Sequence, residues 1–335
     1  MDADFQRKHV HQPHALVFAV KKGDWAMKAY FVKRVGQAIV ALIGVMTLVF
    51  FIQRLTGDPT YLLVPETATD ADIQAMRMSL GLDRPIFVQY TEFLWNIIRF
   101  DLGKSYVQNV DVVTIIAARL PYTLQLAGGA LLMALLVGLP VGLMLAFVRN
   151  GILYRLLMAL VLAAQSMPTF WSGILMIMIF AVWLGWLPPS GVGSVQHLIM
   201  PSIALGLLSM ATYARIARSS ILEELSKDYV RTAKSKGVGT KKLITRHLLR
   251  NSIIPVISIT ALETSQLLAG AVIVETVFAW PGLGLLTVQS VLSRDFVVVQ
   301  GIVLLGATLS ITINFITDIL YSVVDPRIRL GGMQQ

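Results

Sequence analysis

The chain has 335 residues, 56% hydrophobic and only 14% charged, with a net charge of +9 and no cysteine. A soluble domain carries about 25% charged residues, so a water-soluble globular fold is excluded. The missing cysteines exclude a disulfide framework and thiol chemistry, and the positive excess sits in loops beside apolar runs, which is not a nucleic-acid footprint.

Residues 1–27 are polar and carry His9, His11 and His14. Three histidines so close could bind a metal, but a polar leader is the simpler reading. No apolar core with a small-residue cleavage site follows, so no cleavable signal peptide is expected. The first apolar run extends from Val35 to about Leu55, and about twenty residues at ~1.5 Å each cross a ~30 Å hydrocarbon core. Seven Lys or Arg against three acids precede Val35, whereas the long segment 57–119 is mixed in charge. The positive-inside rule therefore predicts a cytoplasmic N-terminus and a periplasmic insert over 57–119.

A second span is predicted from about Thr123 to Phe147, with Gly138 and Gly142 in the spacing that lets helices approach closely. The run Leu156 to Leu187 is too long for one untilted span. Ser166-Met167-Pro168 breaks it, and it reads as one kinked helix crossing mainly after Phe170. Further spans are predicted over Leu198–Ala214, Ile253–Val274 and Phe296–Val323. The expected fold is an all-α integral membrane protein with six transmembrane helices and both termini cytoplasmic. It forms one domain over 28–330, with tails at 1–27 and 331–335.

Between the fourth and fifth spans lies a charged segment, 219–252. From Arg215 to Arg250 it holds ten basic residues against three acids, Glu223, Glu224 and Asp228. It reads as two short helices. Ser220 and Glu223 have capping-box spacing, and Leu222, Leu225, Tyr229 and Ala233 follow as one apolar stripe. Gly237 is placed to stop the first helix and Thr240 to cap the second, whose face is Leu243, Ile244, His247 and Leu248. Pro255 punctuates the next apolar run. So short a loop is not expected to bury both apolar faces, which leaves part of them for a partner.

The run Asp228, Tyr229, Thr232, Ala233, then Lys236-Gly237, then His247, Arg250, Asn251 and Pro255, resembles the coupling loop of ATP-binding-cassette (ABC) importer permeases. The likeness is narrower to the peptide/nickel branch, of the dipeptide permease B type. In the general family signature the proline lies thirteen residues after the glycine, whereas here Pro255 lies eighteen after Gly237, a lengthening that the peptide branch shares. The run Glu275, Phe278, Trp280, Pro281, Gly282 and Gly284 resembles a second signature of this branch. Physically it is an apolar segment broken by Pro and Gly, tolerated at membrane depth only when buried in protein or lining a cavity.

The resemblance covers about residues 28–330. It implies a bacterial inner-membrane permease subunit for di- or oligopeptides, or alternatively for nickel, glutathione or an opine-like solute. Its implied partners are a second homologous permease, two ABC ATPase subunits and a periplasmic or lipid-anchored solute-binding protein. No catalytic motif is present: Gly237-x-Gly239-Thr240-Lys241 misses the phosphate-loop pattern, and neither H-E-x-x-H nor G-x-S-x-G occurs. ATP hydrolysis is therefore expected on other subunits, and no cofactor or metal is called for. Glu263 and Gln266 on one side of the fifth span, and Asn314 on the sixth, are candidates for the translocation path, since intramembrane polar groups are costly; Asp318, on the same face as Asn314 but near the cytoplasmic end, reads as structural. For Glu263 an interhelical hydrogen bond is the equal alternative. A secondary transporter would show coupling-ion sites and often inverted repeats, and no repeat is visible.

Overall fold

A computed structural model describes residues 34–324 apart from 53, 56–59, 66, 149 and 245–247. The N-terminal segment, the Gly57-Asp58-Pro59 turn, His247 and the Asp325-Pro326-Arg327 ending lie outside the described residues. Among the described residues every regular element is a helix, with no strand and one isolated bridge, Lys104 with Asp111.

The order begins with α1 (Arg34–Ile52), α2 (Thr60–Leu63), α3 (Asp70–Ser79), α4 (Ile86–Ile98) and α5 (Val112–Phe147). Next come α6 (Ile152–Ser166), α7 (Thr169–Met176) with a π-helical continuation Ile177–Trp183, and α8 (Val195–Leu225). The rest is α9 (Asp228–Ser235), α10 (Thr240–Leu243), α11 (Leu249–Val277), α12 (Leu283–Leu292) and α13 (Phe296–Val324). Five of these helices, α1, α5, α8, α11 and α13, are long and apolar enough to cross a membrane, and a bent pair makes a sixth candidate.

Several expected boundaries move. α5 begins at Val112, eleven residues before Thr123, because the run from Val112 to Tyr122 is itself largely apolar and packs on α12 and α13. The break at Met167–Pro168 turns the chain by 112°, so α6 and α7 are two helices and not one kinked rod. α8 continues past Ala214 to Leu225, which places Ser220 and Glu223 inside a helix and not at a capping box. Tertiary burial decides this: Ala217, Ser220, Ile221 and Glu224 form a buried i, i+3, i+4, i+7 stripe that keeps the helix going. Pro255 lies within α11 and does not break it. Its missing N–H leaves one carbonyl of the preceding turn without its helical partner.

The frame is α5 against α8, and small residues bring the two backbones together. A Cβ added to Gly138 would fall 2.6 Å from the Met210 carbonyl oxygen, and one on Gly142 would strike the Ala214 carbonyl. From the other side, a Cβ on Gly206 would lie 2.7 Å from the Ala130 carbonyl oxygen. The Gly138/Gly142 spacing is thus a real close-approach face, matched by a glycine the pattern did not reveal. Around it, α5, α8 and α11 share a core of Leu126, Ala130, Met200, Ala204, Leu267, Val274, Phe278 and Trp280. One end of this bundle carries α9 and α10; the other carries α12 and the loop before α5.

Candidate functional site

At the α9 end, Glu224 is the junction. Its carboxylate accepts from Tyr229 Oη at 2.5 Å, from Asn251 Nδ2 at 3.2 Å and from Lys227 Nζ. One buried side chain, 7% exposed, therefore ties the end of α8 to α9 and to the start of α11. Burial raises the Tyr229 phenol above its ordinary value, with the Glu224 hydrogen bond second, so it stays protonated and donates. The hydrogen bond to Glu224 likewise holds Lys227 charged. The sequence reading placed Tyr229 and Asn251 in the loop but counted Glu224 only as an acid. Its position in the stripe Ala217–Ser220–Ile221–Glu224 was the available signal.

α9 ends in a complete C-terminal motif. The Val238 N–H reaches the Ala233 carbonyl at 3.1 Å and the Gly237 N–H the Lys234 carbonyl at 3.0 Å, with Gly237 at φ 72°. That is the Schellman pattern, and Ala233 and Val238 both pack against the Val230, Leu243 and Leu248 cluster. α10 opens at Thr240 itself, one residue earlier than a Thr240 cap would give. Val230, Leu243 and Leu248 are all at most 2% exposed and pack together with Leu225, Tyr229, Ala233 and Ile244.

The two apolar faces pack on each other at Val230, Leu243 and Leu248, while Leu222, Leu225, Tyr229, Ala233 and Ile244 stay half-buried, so part of each face is left uncovered. Asp228, Arg231, Thr232, Lys234, Lys236 and Gly237 are exposed. Arg250 lies in the first turn of α11, and Asn251 beside it makes the Glu224 bond.

Within the bundle, Glu263 is 4% exposed and accepts a hydrogen bond from Ser209 Oγ on α8. One turn nearer the α9 end, Tyr213 Oη donates to Thr260 Oγ1 at 3.2 Å. Two polar rungs thus join α8 to α11. Gln266, expected on the same side as Glu263, is exposed instead, on a face with Leu262, Ala269 and Ile273. Three residues span about 300° of helix, so the two diverge once Glu263 turns fully into the α8 contact. Asn314 is exposed on α13, whose run to Val324 includes Asp318.

Interhelical hydrogen bonds in membranes average about 0.6 kcal/mol and reach about 1.7. Ser209→Ala is therefore expected to lower the thermal midpoint of the purified protein modestly, leaving transport per molecule and its pH profile unchanged. A pH profile shifted by Glu263→Gln, at wild-type stability, would instead make Glu263 part of a wet path.

At the other end, the Glu275-to-Gly284 run folds into a latch around a carboxylate that is wholly buried. Thr123 Oγ1 donates to Glu275 Oε1 at 2.7 Å; the Gly284 and Leu285 amides donate to Oε2 at 2.6 and 3.0 Å. Those amides belong to the first turn of α12, whose free N–H groups and positive dipole end suit an anion. The Leu283 amide completes the ring by donating to Thr123 Oγ1 at 2.8 Å.

The glycines follow from this. A Cβ on Gly282 would overlap the Glu275 carboxylate, and one on Gly284 the Val272 backbone. Trp280 Nε1 donates to the Tyr122 carbonyl at 2.9 Å, and Arg119 Nη1 reaches the Pro281 carbonyl at 3.4 Å. α11 itself ends in a turn with Ala279 at φ 48°, a conformation costing a non-glycine residue about 1–2 kcal/mol. Phe278 is buried in the α5–α8–α11 core. The motif is therefore a means of turning α11 into α12 with the buried Glu275 carboxylate, the Trp280 indole and the first amides of α12 all hydrogen-bonded.

A second buried carboxylate does similar work nearby. Asp295 accepts from Ser105 Oγ at 2.5 Å and from the Tyr106 and Val107 amides at 3.3 and 3.5 Å, fastening the loop before α5 to the start of α13. Nothing in local spacing links Asp295 to a loop 190 residues away.

The architecture matches that of a chain of the MetNI methionine ABC transporter in an inward-facing conformation. The TM-score is 0.55 at 20% identity, over 64% of this chain and 97% of that one. That likeness is one of fold: a bundle of long apolar helices in the same arrangement. The chain belongs to the family of binding-protein-dependent transport system inner membrane components, whose family model matches residues 138–330. A companion model for the N-terminal part of such membrane components matches residues 27–127.

Its relatives are similar almost end to end. It is 42% identical over 304 residues to a glutathione transport system permease protein, GsiC, of Pectobacterium atrosepticum. It is 38% identical over 333 residues to a di/tripeptide transport system permease protein, DppB, of Pseudomonas aeruginosa. The dipeptide transport system permease protein DppB of Escherichia coli is 36% identical over 336 residues. Each comparison covers 90% of this chain and 99% of the relative.

Proposed function

We propose that this chain is the permease subunit of an ABC importer for short peptides. It forms the translocation path with a second, homologous permease. Two ABC ATPase subunits engage α9 and α10, and a periplasmic or lipid-anchored solute-binding protein delivers solute at the opposite end. On this reading the chain crosses the membrane six times, with the α6/α7 pair as one crossing and both termini cytoplasmic. The insert 57–119 is periplasmic, the coupling loop 219–252 cytoplasmic, and 28–330 one domain between a short extension and a tail.

The observation that carries it is the Glu224 junction. A push on α9 reaches α8 through Glu224 and Lys227, and α11 through Asn251, with no mobile linker between. The ten basic residues from Arg215 to Arg250, in and beside that loop, support its cytoplasmic side. Peptide as solute is supported by relatives whose names specify dipeptides, di/tripeptides and glutathione, itself a small peptide. ATP closes the ATPase pair, the coupling helices move with it, and the permease pair alternates between inward and outward access. Gln266 and Asn314, exposed on α11 and α13, face the partner permease or the path between the two.

The test is co-expression with the homologous permease and the two ATPases from the same gene neighbourhood. The expected result is co-purification of all four and ATP-dependent dipeptide uptake in proteoliposomes supplied with the binding protein. A chain that purifies alone and transports without ATPases would overturn the reading.

A further inference from the structure

The mechanism above leaves one cation unused. Arg54 follows α1 and lies half-buried, its guanidinium 3.7 Å from the centroid of the Phe50 ring. Its Nε donates to Gln89 Oε1 at 3.0 Å and Nη2 donates to the same oxygen, which leaves Nη1 uncommitted. Among the described residues no carboxylate lies within ion-pairing distance of it. Taking a charge partly out of water without a counter-ion is costly, and burial accordingly lowers the Arg54 guanidinium below its ordinary value.

The cation is not aimed at solvent alone. It lines a cavity of about 240 Å³ between the end of α1, the turn before α4, α4 itself, the loop before α5 and the first turns of α13. Asp101 lines the same cavity. Its Oδ1 accepts the Gly103 amide at 2.9 Å, and no cation pairs with it. Glu92, the other acid there, is already bound to Arg84 at 2.5 Å. Gln300 of α13 and Asn96 of α4, the latter exposed, add side-chain amides that make no hydrogen bond among the described residues. Phe50, Phe93 and Tyr106 supply aromatic walls.

Among the described residues, a cation without a carboxylate partner, an anion without a cation partner and two side-chain amides without hydrogen bonds thus line one small cavity with aromatic walls. We propose that this cavity is a binding site for a short zwitterionic peptide, its terminal carboxylate on Arg54 and its ammonium on Asp101. The amides of Gln300 and Asn96 are there to bond the peptide unit between the two ends. At about 240 Å³ the cavity is below the ~300–1,000 Å³ of drug-sized ligand sites, which favours a short solute over a long one. A purely anionic group such as a lipid phosphate would satisfy Arg54 but be repelled by Asp101. The proposal rests on the peptide-import reading and on its placing the insert outside. It adds a solute site in the permease itself, at the rim where solute arrives, formed partly by the last span so that movement of α13 would open or close it.

The experiment uses the assembled complex in nanodiscs without the binding protein, and reads binding of isotope-labelled alanyl-alanine. Wild type should bind it. C-terminal amidation, N-acetylation and Arg54→Gln should each weaken binding by about tenfold or more. Amidation should cost nothing further in Arg54→Gln, and acetylation nothing further in Asp101→Asn. Arg54→Lys, which keeps the charge, should recover part of the loss and controls for damage to the Gln89 contact, with thermal midpoints followed throughout. Wild-type binding by Arg54→Gln, or an equal cost of amidation with and without Arg54, would overturn the site. So would the absence of binding to a complex that still imports dipeptide through its binding protein, which would leave the transport reading standing. Binding that phosphatidylglycerol abolishes and peptide end-groups do not affect would make the cavity a lipid site. Failure of dipeptide uptake with the binding protein present would instead strike the transport reading itself.

Discussion

Glu275→Ala should leave little folded protein in the membrane. The substitution strands three donors that have no water to turn to: the Thr123 hydroxyl and the Gly284 and Leu285 amides. A buried donor left unanswered costs about 1–3 kcal/mol. The summed loss, on the order of 3 kcal/mol or more, is a large fraction of the 5–15 kcal/mol by which a typical domain is stable. Glu275→Gln keeps the shape and one acceptor oxygen and should fall between wild type and Ala. The measurements are membrane abundance by immunoblot and the thermal midpoint in detergent. Combining Glu275→Ala with Thr123→Val should cost less than the sum of the two single changes, because they share one bond. Wild-type abundance and midpoint in Glu275→Ala would remove the latch from this account. The outcome separates structure from transport, since the Glu275 carboxylate is wholly enclosed and touches no open path.

Gly237→Val is expected to act oppositely, sparing the fold and stopping transport. A Cβ at Gly237 would meet nothing within 4 Å, so sterics within the chain raise no objection. The cost is conformational: φ 72° is the left-handed region, where a side chain pays about 1–2 kcal/mol and a β-branched one more. That is enough to unwind the Schellman turn and reorient α9 against α10, but not to unfold spans that pack elsewhere. Insertion should be normal, and uptake should fall by about tenfold or more, consistent with loss of that much local free energy. Gly237→Asn, which tolerates the left-handed region, should retain most uptake. Under the proposed function, ATPase retention by pull-down then tells whether docking or transmission has failed. Because Ala233 packs inward on the Val230, Leu243 and Leu248 cluster, the cleaner probe of docking is charge reversal at an outward position, Arg231→Glu or Lys236→Glu. Normal uptake in Gly237→Val together with both reversals would sink the coupling assignment.

Much of this architecture can be read locally. The apolar runs locate the long helices, Met167-Pro168 locates the sharp turn, Gly237 the end of α9, and Gly138 with Gly142 the face where α5 meets α8. Each is a short-range property of the chain: span length, a missing N–H, a permitted positive φ, or the absence of a Cβ. Helix boundaries were less legible where a tertiary surface prolonged a helix. α8 runs eleven residues past Ala214 because its far end remains buried, although its composition there has turned polar.

The sequence by itself determined that this is a helical membrane protein, where the chain turns, and which stretches carry unusual chemistry. The tertiary structure alone decided what those stretches do to one another. Glu224 became a three-way junction, Glu275 a cap for the helix that follows it, Asp295 a clasp on a loop far back in the chain, and Glu263 a rung between two spans. Each is a carboxylate that burial obliges to find donors. The obligation is visible in the sequence as an acid at an apolar position. Which donors answer it depends on how distant helices pack, and no local pattern encodes that.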